Sequence, residues 1–189
     1  MNKLKSKKEQ QKNGFTLAEL LVSITVFSLI IGAVSGAFIS TIQAQRKALS
    51  FQEILNQTSY LEEYMSRAIR MARKDFGGSC VAANSNYETT HSDHGLSFMN
   101  YLGNCQEFYV SDARLWENKD GIVSELTSTS VSVEEFNVKV LGNSQLDNLQ
   151  PRATLFLKIK GTGPGVEQQA EIQIQTTLSQ RKLDIQYQY

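Results

Sequence analysis

Residues 15–39 form the one long apolar run in this 189-residue chain, and that run limits what the rest can be. As a helix it would be roughly 37 Å long, enough to cross a hydrocarbon layer with some tilt. Lys3, Lys5, Lys7, Lys8 and Lys12 precede it, opposed only by Glu9, so the first fourteen residues carry a charge of +4. The chain as a whole has no net charge, so everything after the head is net acidic, at −4. Lysines before the run and the bulk of the chain after it predict a short head in the cytoplasm and a body outside. An acidic body is also not the profile of a nucleic-acid binder, which needs Lys and Arg clustered on its folded part.

Hydropathy alone leaves alternatives open. A cleaved secretory signal has a shorter apolar centre followed by small residues at the cut, and Ala33–Ala37 offers such a stretch. A permanent anchor is the other reading. Glu19 argues for something more specific. An acidic residue inside an apolar span costs about 2.5 to 3.5 kcal/mol on insertion scales and marks a functional position. Cutting the chain after Gly14 supplies a cation, because the new amino terminus of Phe15 lies four residues before Glu19, on the same helix face.

The sequence Lys12-Asn13-Gly14-Phe15-Thr16-Leu17-Ala18-Glu19-Leu20-Leu21-Val22 resembles the processing signal of type IV prepilins and type II secretion pseudopilins. The resemblance implies cleavage between Gly14 and Phe15 by a prepilin peptidase, methylation of Phe15, and an assembly role for Glu19. The implied partners are that peptidase, other pilins or pseudopilins, an inner-membrane assembly platform and membrane lipid. It also implies a single-pass subunit of the inner membrane that enters a pilus or pseudopilus. The fourteen-residue leader is on the long side for the family.

Beyond the apolar run, Phe51, Ile54, Leu55, Thr58, Leu61, Met65, Ala68, Ile69 and Ala72 recur at spacings of mostly three and four. They predict one amphipathic stripe continuing the same helix, with Gly77-Gly78 as its stop. From Cys80 onward the period changes to two. Strands are predicted at Leu96–Tyr101, Glu107–Val110, Val131–Leu141 with a slip at Glu134-Glu135, Ala153–Lys160 and Ala170–Leu178. Gly161–Gly165 reads as the turn joining the last two.

The expected fold is α+β, a long N-terminal transmembrane and amphipathic helix packed on an antiparallel β-sheet. Its parts are a leader at 1–14, a transmembrane part at 15–40, an amphipathic part at 41–76 and a β-rich body at 77–189. The run from Gln150-Pro151-Arg152 through Ile174–Arg181 resembles the end of J-type minor pseudopilins. A body of over a hundred residues beyond Gly78 suits a minor subunit. Small residues Ser23, Ser28, Gly32, Ser35 and Gly36 would let neighbouring helices approach in lipid.

Cys80 and Cys105, an even pair on the exported side, are expected to form a disulfide, with two buried thiols as the alternative. Closing a loop of roughly 25 residues contributes about 3 kcal/mol in the chain-entropy model. His91-Ser92-Asp93-His94 has two potential metal ligands but reads as a solvated loop. Glu117-Asn118-Lys119-Asp120-Gly121 lacks the alternating ligands of a calcium loop and reads as a turn. Gly161–Gly165 has no Lys-Ser/Thr pair for phosphate, and no nucleophile elbow, HExxH or Rossmann fingerprint occurs. The sequence therefore predicts no catalytic residue, metal or cofactor.

Overall fold

The computed structural model describes residues 14–143, 149–165 and 169–181. A single helix, α1 (Leu17–Arg70), precedes eight strands. The chain divides into two compact units, Met1–Gln43 and Ala44–Tyr189.

Within the first unit, every described residue but one is exposed, including Phe15, Leu17, Leu29 and Phe38. Four of its hydroxyls turn back onto the helix backbone. Ser23 Oγ donates to the Glu19 carbonyl (2.7 Å), Thr25 Oγ1 to Val22 (2.8 Å), Ser28 Oγ to Ile24 (2.8 Å) and Thr41 Oγ1 to Ala37 (2.9 Å). Such back-bonding satisfies polar side chains without water, which is what an apolar medium demands. By length and composition the helix can cross a membrane.

The second unit is built around the rest of α1, where Ile54, Thr58, Leu61, Met65 and Ile69 are buried at spacings of three and four residues. Two antiparallel sheets share that core. One comprises β1 (Tyr87–Thr90), β2 (Gly95–Met99), β3 (Cys105–Ser111), β4 (Arg114–Lys119) and β5 (Ile122–Glu125) in sequential order. The other comprises β6 (Val131–Leu141), β7 (Arg152–Gly161) and β8 (Glu171–Ser179). The inward residues of the first sheet include Leu96, Phe98, Phe108 and Leu115, and those of the second Val131, Val133, Phe136, Leu155, Leu157 and Ile159. Tyr64 meets Phe108 edge-on at 6.0 Å, and the Tyr87 hydroxyl donates to the Ile69 carbonyl (2.9 Å). The sheets are tied by Val133 N to Ala113 O (2.8 Å) and Val138 N to Asp93 O (2.9 Å).

The predicted slip at Glu134-Glu135 is a register shift between Val133 and Glu135, which returns Phe136 and Val138 to the core. Four expectations need correction. The strands form two sheets, because the bulged β6 starts a new sheet with β7 where one continuous meander was expected. The helix ends at Arg70, not at Gly77-Gly78. After it, Arg73 N donates to Met99 O (2.9 Å) and Asp75 N to Ser85 O (3.0 Å), so the backbone is already paired with the sheet. Phe51 and Leu55 of the predicted stripe are exposed. Finally β1, β4 and β5 were not expected; Glu117–Lys119 lies in β4, leaving only Asp120-Gly121 as the turn.

Asp75 organises the segment after the helix. Its buried carboxylate accepts the amides of Gly77 (3.1 Å), Gly78 (2.8 Å), Cys80 (2.6 Å) and Val81 (3.2 Å). The loop is thereby wound around one side chain. Cys80 comes to lie opposite Cys105, with Cα atoms 5.3 Å apart and the two sulfur atoms joined.

Candidate functional site: the start of the helix

Thr16 and Glu19 form a reciprocal cap. The Glu19 carboxylate accepts the Thr16 amide (2.9 Å) and hydroxyl (3.0 Å), and the Thr16 hydroxyl accepts the Glu19 amide (3.3 Å). This is the capping-box arrangement, in which two amides left open by the first helical turn are satisfied by side chains. The signal was present as Thr-x-x-Glu before an apolar run, yet the sequence reading used Thr16 only as part of the motif. Acidic charge in a first turn also suits the positive end of the helix dipole.

Phe15 stands just outside this cap with its side chain exposed. A Cβ added to Gly14 would meet nothing within 4 Å, so the chain's own packing gives no reason for a glycine there. Of the predicted site, Gly14, Phe15 and Glu19 thus lie together at the mouth of α1. The rest of the expected 1–14 leader, residues 1–13 with Lys12 among them, lies outside the described residues.

His91 and His94 are not directed to one point. The His91 ring stacks on Tyr109 with its Nδ1 3.3 Å from Glu107, whereas His94 Nδ1 is 2.8 Å from the Phe136 carbonyl. The segment is exposed, as expected of a solvated loop, and forms a tight turn between β1 and β2 that also bonds to β6 of the other sheet.

Residues 10–35 match the family model described as the prokaryotic N-terminal methylation motif. No curated protein and no solved structure matched the chain. The matched segment is followed at once by an apolar helix and then by an α+β body, an arrangement that supports a type IV pilin-like or pseudopilin-like protein. More particularly, the match supports a substrate of a prepilin peptidase, anchored in a membrane through its N-terminal helix.

Proposed function

We propose that the chain is a minor pilin or pseudopilin, cut between Gly14 and Phe15, methylated on Phe15, and assembled through its N-terminal helix. What carries the reading is the methylation motif placed at the first turn of a helix whose leading part is apolar and exposed. In this reading 1–14 is the leader, 15–40 the membrane part, and residues from 41 onward lie outside the cytoplasm. There the Cys80–Cys105 pair is oxidised, and neighbours include other pilin-like subunits and an inner-membrane platform. Intact mass of the membrane-extracted protein tests this. The expected value lacks the first fourteen residues, gains one methyl group, and does not rise on alkylation before reduction. A full-length mass overturns the processing, and alkylation of both thiols overturns the disulfide.

The capping box favours a second reading, a permanently anchored extracytoplasmic binding domain in which Glu19 only caps its own helix. Paired substitutions separate the two. Removing a cap costs roughly 1 kcal/mol of helix stability whichever partner is lost. If Glu19 instead pairs with the amino terminus of a neighbouring subunit, leaving that amine bare in hydrocarbon is far costlier. Glu19→Ala is therefore expected to be inserted and cut but nearly lost from sheared filaments, while Thr16→Ala keeps most of its incorporation. Equal recovery of the two variants would sink the pairing.

A further inference from the structure

β8 is one edge of the three-stranded sheet, and its inner face is only partly covered. The register sets Leu155, Leu157 and Ile159 of β7 beside Thr176, Ile174 and Ile172 of β8. The β7 residues are buried, whereas their β8 neighbours are half-buried. The helix leaves a matching gap. Phe51 and Leu55 are exposed, and with Glu62 and Ser66 they lie on one flank of α1, at steps of four, seven and four residues. Ser66 lines a hollow of about 610 Å³ with Arg70, Thr177, Ser179 and Arg181, so this flank faces β8.

The outer side of β8 also has backbone to spare. At its two ends the Gly161 amide donates to the Ala170 carbonyl (2.9 Å) and the Gln180 amide to the Pro151 carbonyl (3.4 Å). Even-numbered residues therefore pair with β7, and the odd-numbered ones from Glu171 to Ser179 direct N–H and C=O outward. Among the described residues no backbone bond reaches that side. Such an edge is a template for a further strand. The chain itself carries one to the spot. Arg181 lines the hollow, and the residues after it, 182–189, lie outside the described residues. They place Leu183, Ile185, Tyr187 and Tyr189 at every second position with polar residues between, which is the period of a strand. Neither Gln180 nor Arg181 has a positive φ, which excludes the common two-residue hairpin turns and calls for a four-residue loop, Gln180–Leu183.

We propose that residues 184–189 dock on the outer edge of β8 as an antiparallel ninth strand. With the four-residue loop, Ser179 pairs with Asp184, Leu178 faces Ile185, Thr176 faces Tyr187 and Ile174 faces Tyr189. Ser179 has its amide and carbonyl outward, as the residue closing such a loop must. Ile185, Tyr187 and Tyr189 all fall on the half-covered side, and a one-residue slip would turn all three to water. The two tyrosine rings cover Ile174 and the α1 flank, and the edge of β8 is closed to strands from neighbouring subunits.

This register is tested in the purified full chain, in detergent. Thr177 and Gln186 stand opposite each other on the outward face, so Thr177→Cys/Gln186→Cys should close a disulfide within one chain under mild oxidation. Its yield should be roughly tenfold that of Thr177→Cys/Tyr187→Cys, whose second cysteine points inward. Peptide mapping of mixed unlabelled and isotope-labelled chains shows whether the link joins one chain or two. Residue-resolved amide exchange supplies a second reading. Gln175, Thr177 and Ser179 should exchange at least about tenfold faster in Gln186→Pro, which cannot donate to the ladder. Thr176 and Leu178, bonded to β7, should keep their protection and so report on folding. A link formed mainly between two chains would put a second copy on the edge and overturn the proposal. Equal linking by both cysteine pairs, no linking, or unchanged exchange in a folded Gln186→Pro protein would each overturn it as well.

Discussion

A Gly14→Leu chain is expected to stay full length in cells that contain the peptidase, with precursor as the main species on electrophoresis. The structure makes this variant a clean one. A Cβ at position 14 meets no atom of the described residues within 4 Å, so the substitution is not expected to disturb the cap or the helix. Any effect must then arise outside the folded chain. A protease that grips the backbone at a glycine has no volume set aside for a leucine side chain, and a near-complete block follows from steric exclusion. Mature mobility at wild-type levels would show that the cut does not depend on Gly14. Because the helix start is untouched, the uncut chain should still enter the membrane fraction.

Asp75→Ala is expected to destabilise the body by about 3 to 5 kcal/mol. Four backbone amides lose their acceptor at once, in a segment where Asp75 itself is fully buried. Burial by itself pushes the Asp75 carboxyl up, but the amides of Cys80, Val81, Gly78 and Gly77 together outweigh it and hold it below the usual aspartate value. The pH dependence follows. With the folded value depressed, the unfolded chain binds the proton first as pH falls, so the contribution is fully present above the ordinary aspartate value of about 3.9. It fades as pH drops through the lower folded value. Thermal melts of oxidised protein at pH 7 and at pH 3 should show wild type losing more on acidification than Asp75→Ala. An equal acid loss in the two proteins, or a near-native melt for the variant at pH 7, would show that the loop is held by something else.

How much of this was legible in the sequence depends on how each segment meets water. The apolar run and the Ile54–Ile69 stripe repeat over many turns, and their period points to helix without competition. β7 alternates cleanly, β6 does so on either side of its bulge, and β8 alternates with a half-buried inward face that ends on buried Leu178. β4 has a single buried aliphatic, Leu115. Its other inward residue is Glu117, whose carboxylate accepts the Tyr64 hydroxyl (2.8 Å) and the Gln106 amide (2.6 Å). A polar residue at an inward position erased the alternation that a sequence reading needs. β5 is exposed along its whole length, so its only specification is pairing with β4.

The helix terminus was misplaced for a related reason. Gly77-Gly78 looks like a stop, but the signal that matters is Asp75, whose partners are backbone amides and hence invisible as residue types. At the candidate site the motif residues were plain, while the cap between Thr16 and Glu19 needed the geometry to be seen.

The end of α1 is closed from far along the chain. Gln180 Nε2 donates to the Ala72 carbonyl (3.0 Å) across a separation of 108 residues, and Arg181 N donates to the Arg70 carbonyl (2.8 Å). The Asn86 amide donates in turn to Gln180 Oε1 (2.7 Å). The order of synthesis therefore differs from the order of completion. A nascent chain that has exposed its helix and first sheet still leaves the carbonyls of residues 70 and 72 without these partners until Gln180 and Arg181 have emerged. In the topology proposed above, where the body lies outside the cytoplasm, a clasp made this late would leave the polypeptide threadable in transit and let it lock only once β8 had been delivered.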